Sequence, residues 1–242
     1  MILKTAGIVI RIINFSDSGI VANIYTRNFG MQSFLVRGIK KPKSALPGNC
    51  FQPLTPVDLV LYHHDSKTLK RIKDISPGFR LKTIRDNGEK SMLALFMSEI
   101  IYRSVKEECS HPELFDFLFE TIREFDALEK DFRYYHVFFM ARLTRLLGFM
   151  PDTSNYKSGY SFDLKEGIFI EAPAPAADIL DENLCSGFHT VLTKPYRLNN
   201  LDALSPVQRK NLLDAIIRFY ELHLDHPASI RSHRVLLDVL EP

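Results

Sequence analysis

The amino-acid sequence predicts an α+β protein, with a five-stranded barrel at the N-terminus followed by a mostly α-helical domain that contains a small β-hairpin insertion. Two observations lead to this fold class. Up to about residue 80, short segments rich in Ile, Val and aromatic residues alternate with turn-forming residues, a pattern typical of strands. Beyond residue 80, apolar residues recur at helical spacing. We therefore expect two domains, over residues 1–79 and 80–242.

The first domain contains strand candidates that are separated by turns. They cover residues 6–15, 20–26, 31–39, 54–63 and 68–75. No helical pattern occurs before residue 80, and short strands in so small a domain fit the OB-fold, a partly open five-stranded barrel. A small open sheet and an SH3-like barrel are the alternatives.

The second domain is predicted to be mainly helical. Its helices are expected over residues 89–108, from the Ser110 motif to about residue 128, over 133–147, from the Ser205 motif to about residue 224, and over 230–240. The second and the fourth of these helices follow capping-box patterns, in which a Ser and the residue three positions later satisfy free backbone N–H groups. These patterns begin at Ser110 and at Ser205. Gly148 is expected to end the third helix.

The irregular part of the second domain spans residues 150–203. Within it, residues 160–163 and 168–170 have strand composition and flank a turn that ends at Gly167, which predicts a small hairpin. The Ala-Pro-Ala-Pro run at 172–175 predicts a stiff, extended connector.

The composition excludes several classes of protein. Hydrophobic residues make up 45% and charged residues 25%, as in ordinary globular proteins. No stretch approaches the roughly 18 consecutive apolar residues of a membrane span. Cys50, Cys109 and Cys185 are too widely spaced for a disulfide framework or a metal knuckle. We therefore expect a cytoplasmic protein with no membrane segment, no bound metal and no cofactor.

The sequence lacks recognisable catalytic motifs, including phosphate-binding loops, the Gly-x-Ser-x-Gly elbow and the His-Glu-x-x-His zinc motif. His63, His64 and Asp65 resemble a metal cluster, but adjacent strand residues point to opposite faces. Cys50 would be a nucleophile only beside a base. We therefore predict that the protein is not an enzyme, and keep a hydrolase that uses His63 or Cys50 as a remote alternative.

The positive charge is concentrated at the N-terminus. The first 80 residues contain twelve Lys and Arg against four acidic residues, a charge of +8, which leaves −6 for the rest of a chain whose total is +2. Four of these cations lie within seven positions, namely Arg37, Lys40, Lys41 and Lys43. This segregation predicts a face that binds a polyanion.

We predict that phosphates bind to this basic loop with help from Arg11 and Arg27 on neighbouring strands or turns. Aromatic side chains near these cations are candidate platforms for bases, although core packing is the commoner role for any one of them. They are Phe15, Tyr25, Phe29 and Phe34. In the alternative interpretation, the basic barrel is a protein-interaction module that binds an acidic partner tail.

Several short motifs occur in a characteristic order along the chain. They lie at 5–11, 17–21, 26–30, 37–44, 52–54 and 147–152, and the Arg-Gly-x-x-Lys-Pro-Lys-Ser stretch at 37–44 is the most specific of them. Together they resemble the RecO family of bacterial recombination mediators, and the resemblance covers nearly the whole chain. Only the cations of the matched stretch carry over as functional residues: Arg37, Lys40, Lys41 and Lys43.

The resemblance implies an OB-fold domain that binds single- and double-stranded DNA and anneals complementary strands in the bacterial cytoplasm, at the nucleoid. It also implies that, with the RecR protein, the chain helps RecA to displace single-stranded-DNA-binding protein (SSB). Many relatives carry a four-cysteine zinc site after the central helices. Only Cys185 occurs in that region here, so we expect no zinc site.

Overall fold

The computed structural model describes residues 2–17, 19–39, 46–62, 69–105, 109–171, 176–196, 201, 204–224, 230 and 232. The chain divides into two compact units, residues 1–129 and 130–242. None of the helices in the described ranges is long and apolar enough to cross a membrane. The division into domains at residue 79 stays a prediction, since the strands of the first unit end at Pro77 but the unit itself continues to residue 129.

The first unit is built on a five-stranded antiparallel sheet. Its strands are β1 (Ile2–Asn14), β2 (Gly19–Thr26), β3 (Gly30–Arg37), β4 (Thr55–Tyr62) and β5 (Ile72–Pro77), in the order β3-β2-β1-β4-β5. One parallel bridge between Phe34 and Lys70 joins the two edges of the sheet, where the Leu35 N–H donates to the Lys70 carbonyl at 3.0 Å. The sheet therefore curls into a partly open barrel of the OB type, which confirms the predicted fold class.

Alternating burial along the strands defines the inside of the barrel. In β3, Phe34 and Val36 are buried, while Leu35 between them is half-buried and Arg37 is exposed. The core is formed by Val9, Ile20, Ala22, Ile24, Phe34, Val36, Cys50, Phe51, Val57, Leu59, Leu61 and Ile75. Because the side-chain period of a strand is two, the residues between these positions form the outer face of the sheet.

Cys50 belongs to this core and is the last residue of a short 3-10 helix, Gly48–Cys50. Burial raises the pKa of its thiol, which disfavours the nucleophilic thiolate. The thiol is therefore a packing group, and Cys50 is excluded as the nucleophile of the hydrolase alternative. His63 and its neighbours His64 and Asp65 lie outside the described residues.

The described part of the first unit also contains three helices, α1 (Thr83–Asp86), α2 (Gly88–Ser104) and α3 (Pro112–Ala127). The capping box predicted at Ser110 is wrong. The N-cap of α3 is His111, whose Nδ1 accepts a hydrogen bond from the Leu114 N–H at 3.1 Å. Since Pro112 occupies the first helical position, the residue directly before it becomes the cap, and Ser110 instead donates to the Arg27 carbonyl.

Lys90 is completely buried where these helices meet. Its ammonium group donates to the carbonyls of Phe125 and Leu128, each at 2.6 Å, and to the Thr83 hydroxyl. The carbonyls belong to the end of α3, where helices leave acceptors unpaired and favour positive charge. Lys90 therefore caps α3 from a neighbouring helix.

Asp126 makes the complementary contacts at the start of α1. Its carboxylate accepts hydrogen bonds from the N–H groups of Lys82 at 3.0 Å and Ile84 at 2.9 Å. Burial lowers the pKa of Lys90 to about 8, and the nearby Asp126 charge opposes this shift. One buried cation and one carboxylate thus satisfy the ends of two helices and join all three.

Over its described residues, the second unit contains three helices and a small sheet. Its elements are α4 (Tyr135–Leu146), β6 (Tyr160–Asp163), β7 (Ile168–Glu171), β8 (Ile179–Leu180), α5 (Glu182–Thr193) and α6 (Pro206–His223). The predicted hairpin is confirmed as β6 and β7, with Gly167 at a φ of 70°. The capping box at Ser205 and the left-handed Gly148 after α4 are also confirmed.

Helix α5 lies within the segment that the sequence predicted to be irregular, so that prediction was wrong over Glu182–Thr193. Asp181 caps the helix by accepting the N–H groups of Asn183 and Leu184 at 2.9 Å and 3.1 Å. Gly187 interrupts the helical pattern, and a Cβ there would lie 2.6 Å from the Leu204 side chain, which would have to shift. The predicted connector at 172–175 and nearly all of the predicted helix at 230–240 lie outside the described residues.

Aromatic packing holds the hairpin against the helices of the second unit. The Phe162 ring lies 4.8 Å from Phe169, 4.7 Å from Phe188 and 6.2 Å from Phe219, measured between ring centroids. Ring contacts thus connect β6 to β7, α5 and α6.

Among the described residues, no group of three or more His, Cys, Asp or Glu could hold a metal ion.

We predict that Lys90→Met lowers the free energy of unfolding by about 1–3 kcal/mol at neutral pH, because buried carbonyls at the end of α3 lose their donor. The loss should also grow with pH. The pKa of Lys90 is about 8 in the folded protein against an ordinary value of 10.5, so between these values the unfolded chain binds more protons and the Lys90 contribution rises with pH.

Urea unfolding of both proteins between pH 7 and pH 10.5, followed by circular dichroism, measures this difference. Lys82→Met is the matched control, because the Lys82 side chain is exposed beside the same helices. A Lys90→Met protein as stable as the control variant at every pH would contradict the assigned role of Lys90.

Candidate nucleic-acid interface

The outer face of β1, β2 and β3 carries a polar row of side chains across the strands. Arg11 pairs with Asn23, and Asn23 pairs with Ser33. The Asn23 side-chain amide donates to the Ser33 hydroxyl at 2.7 Å, which fixes the orientation of both groups. Arg11 is exposed at one end of this row and supplies its positive charge.

An apolar row lies next to it on the same face. Ile13 pairs with Val21, and Val21 pairs with Leu35. The Ile13 side chain is 42% exposed, and the other two are half-buried. Beyond this row, β3 ends at the exposed Arg37, which lies four residues, about 13 Å, along the strand from the polar row. The face therefore presents a cation on each side of an accessible apolar strip.

Arg11 is positioned by an aromatic ring. Its guanidinium lies 4.6 Å from the centroid of the Tyr102 ring, which belongs to α2. A cation held over a ring face in this way keeps a defined direction while remaining exposed. No pattern in the sequence points to Tyr102, because its role depends on α2 packing beside β1.

Arg27 occupies a different place from Arg11 and Arg37. It follows the end of β2 and forms a two-point ion pair with Asp116 of α3, in which Nη2 lies 2.9 Å from Oδ2. Its guanidinium also lies 5.6 Å from the centroid of Phe115. The carboxylate offsets the charge of Arg27, so its predicted contact with phosphate stays a prediction that must compete with this pair.

The basic loop lies mostly outside the described residues, which include Arg37 but not Lys40, Lys41 and Lys43. The structure does describe the residues on both sides of the basic loop. Ile39 and Leu46 pack against the barrel core. The described residues on both sides of the basic loop therefore contact the same barrel that carries Arg37.

The four aromatic platforms suggested by the sequence fall into two groups. Tyr25 and Phe34 are completely buried, so their stacking on bases is excluded. Tyr25 lies under α3, with its ring centroid 6.4 Å from that of Phe115, and Phe29 is partly buried against the barrel core. Phe15 is 60% exposed at the end of β1, next to the apolar strip. It is the platform candidate that this geometry retains.

Comparisons with known proteins cover both units. Residues 1–78 match the family model for "Recombination protein O N terminal", and residues 85–231 match that for "Recombination protein O C terminal". The chain is 31% identical to the DNA repair protein RecO of Phocaeicola vulgatus, over 100% of this chain and 98% of that protein. It is also 30% identical to the DNA repair protein RecO of Flavobacterium johnsoniae, with 99% of each protein covered.

The ion pair at Arg27 generates a prediction about its availability. Asp116→Asn should free the guanidinium and raise the affinity for single-stranded DNA by about two- to fivefold at low salt, the range expected for releasing an exposed ion pair. Fluorescence anisotropy with a labelled oligonucleotide measures the change.

Glu120→Gln is the matched control, because it removes the same charge one turn further along α3, where the partner is Arg123. An equal gain for the two variants would show a general electrostatic effect and contradict a DNA contact by Arg27.

Proposed function

Because this chain belongs to the RecO family of DNA repair proteins, we propose that it binds single- and double-stranded DNA through the outer face of β1, β2 and β3. The family acts as a mediator of DNA repair and recombination and is not a family of enzymes. The observation that carries the proposal is the accessible apolar strip between the exposed Arg11 and Arg37. Proteins that bind single strands without sequence preference combine cations for the backbone with apolar or aromatic surface for the bases.

The phosphates supply most of the affinity in this proposal. Arg11 and Arg37 contact the backbone on the two sides of the strip, and Lys40, Lys41 and Lys43 extend the contact beyond Arg37. Each neutralised phosphate releases condensed counterions, so binding weakens as salt rises. The strip and Phe15 contact bases whatever the DNA sequence, since every base has an apolar face.

Annealing follows from the same charges. Two complementary strands repel each other through their phosphates, and cations that neutralise both strands lower this repulsion. The protein then increases the local concentration of the strands without any covalent chemistry. The family membership supports a further step, in which the chain acts with RecR to help RecA replace SSB on single-stranded DNA in the bacterial cytoplasm, at the nucleoid.

Arg11→Ala combined with Arg37→Ala should weaken binding to single-stranded DNA and flatten its salt dependence. Each lost phosphate contact reduces the slope of log K against log salt by about 0.7, so the double variant should lose about 1.4 from the slope. Anisotropy titrations across a salt series measure this slope. Arg123→Ala is the control, because Arg123 is an exposed arginine of the same unit on α3. A slope equal to that of the control would contradict binding at this face.

The loop lysines generate a separate prediction. Changing Lys40, Lys41 and Lys43 to Gln should reduce the affinity for all oligonucleotide sequences by a similar factor, of about tenfold or more at low salt, because phosphate contacts carry no sequence information. The measurement compares oligo-dT, oligo-dC and a mixed sequence of equal length. Unchanged DNA affinity, together with lost binding of an acidic peptide, would favour the protein-interaction module instead.

A further inference from the structure

A groove of about 290 Å³ opens beside Arg11, between β1, the turn before β4 and helix α2. Its walls are mainly apolar and include Ile12, Pro53 and Leu95. Leu95 is 54% exposed at the edge of the groove. Arg11 and the ring of Tyr102 also line the groove.

Two irregularities of the backbone shape this groove. The pairing of β1 with β2 shifts register between Val9 and Arg11, which is a β-bulge. Opposite the bulge, Leu54 adopts a φ of 57°, a conformation that residues other than glycine rarely take, and its N–H donates to the Val9 carbonyl at 2.7 Å. Such conformations persist only where the surrounding structure holds them, and they concentrate at functional sites.

Side chains from α1 and α2 fix both irregular segments. Arg85 donates to the Pro53 carbonyl at 2.9 Å and also to the Thr55 hydroxyl, so the turn before β4 is held from α1. Ser98 of α2 donates to the carbonyl of Ile10, the residue at the bulge. Residues that form the groove are therefore held in place by both α1 and α2.

The chemistry of the lining fits a nucleobase. The apolar walls suit a flat ring, and an arginine held over a tyrosine ring offers a planar cation on which a base can stack. Glu99 also lines the groove, and a carboxylate can accept a hydrogen bond from the exocyclic amino group of cytosine. The same carboxylate lies 3.7 Å from Arg103, so this second cation of the groove already has an acidic partner.

We propose that this groove binds one unstacked base of the DNA strand held by the outer face of the sheet, with a preference for bases that carry an amino group. The inference rests on the proposed DNA binding, because Arg11 belongs both to the polar row and to the groove. A strand that crosses the polar row places a base beside Arg11. An acidic peptide fits less well, because Glu99 would repel its carboxylates and Arg103 is already paired.

A fluorescent reporter tests occupation of the groove directly. The chain contains no tryptophan, so Leu95→Trp introduces a single indole at the edge of the groove. Tyr62→Trp is the matched control, since Tyr62 pairs with Ile2, nine residues and about 30 Å along β1 from Arg11. Oligo-dC should quench the emission of Leu95→Trp at least twofold through base stacking, whereas an abasic oligonucleotide of equal length should not. The control should respond to neither.

Arg11→Lys supplies a second measurement, which leaves the apolar walls of the groove unaltered. Lysine keeps the charge but loses the planar guanidinium that can stack on a base. This variant should bind oligo-dC about fivefold or more weakly, the lower end of the range for one lost stacking contact. Its affinity for the abasic strand should stay within about twofold of the unaltered protein.

The outcomes separate this inference from the proposed function. If both tryptophan variants bind oligo-dC by anisotropy but neither emission changes, the groove is not a base site, while DNA binding stands. If emission of Leu95→Trp responds to an acidic peptide and not to oligo-dC, the groove is a peptide site and the inference is overturned. If the unaltered protein binds no oligonucleotide, the proposed function and the inference are both overturned.

Discussion

The burial of β1 on both faces is the constraint on which the first unit depends. Its inner face supplies Val9 to the barrel core, and its outer face supplies Ile8 and Ile10, which are also buried. Ser98 of α2 bonds to the backbone at Ile10, so the helices cover the outer face up to that point. From Arg11 onward the strand is largely exposed. The end of helix coverage therefore decides which part of the sheet a DNA strand can reach.

Charge and shape act together at this boundary. The exposed cations alone would attract any polyanion, and an apolar strip alone would be a hydrophobic patch without direction. Their alternation on one face accounts for binding that depends on the DNA backbone yet tolerates any base sequence.

The second unit achieves its packing differently, since the ring of Phe162 connects its hairpin to two helices. Phe162, Phe188 and Phe219 are buried in this packing, so they are structural and are not available as platforms for bases.

The sequence predicted features with local causes and missed those that depend on packing between elements. The strands, the cap at Ser205 and the turn at Gly167 each follow from patterns a few residues long. Helix α5 was missed because Gly187 breaks its pattern, and only contact with Leu204 explains that glycine. Tyr25 has the composition of a platform in the sequence, but packing against Phe115 of α3 makes it part of the core. The groove could not be predicted, because it depends on a bulge and on the left-handed Leu54, neither of which has a sequence signal.

Ultraviolet crosslinking of the full chain to single-stranded DNA, with the crosslinked peptides identified by mass spectrometry, tests the central claim most directly. The account predicts crosslinks to residues 11–15 and 31–46, which carry the cations, the apolar strip and the basic loop. It also predicts that an excess of unlabelled DNA removes them. Crosslinks confined to residues 130–242 would contradict the claim that the outer face of the sheet holds the DNA.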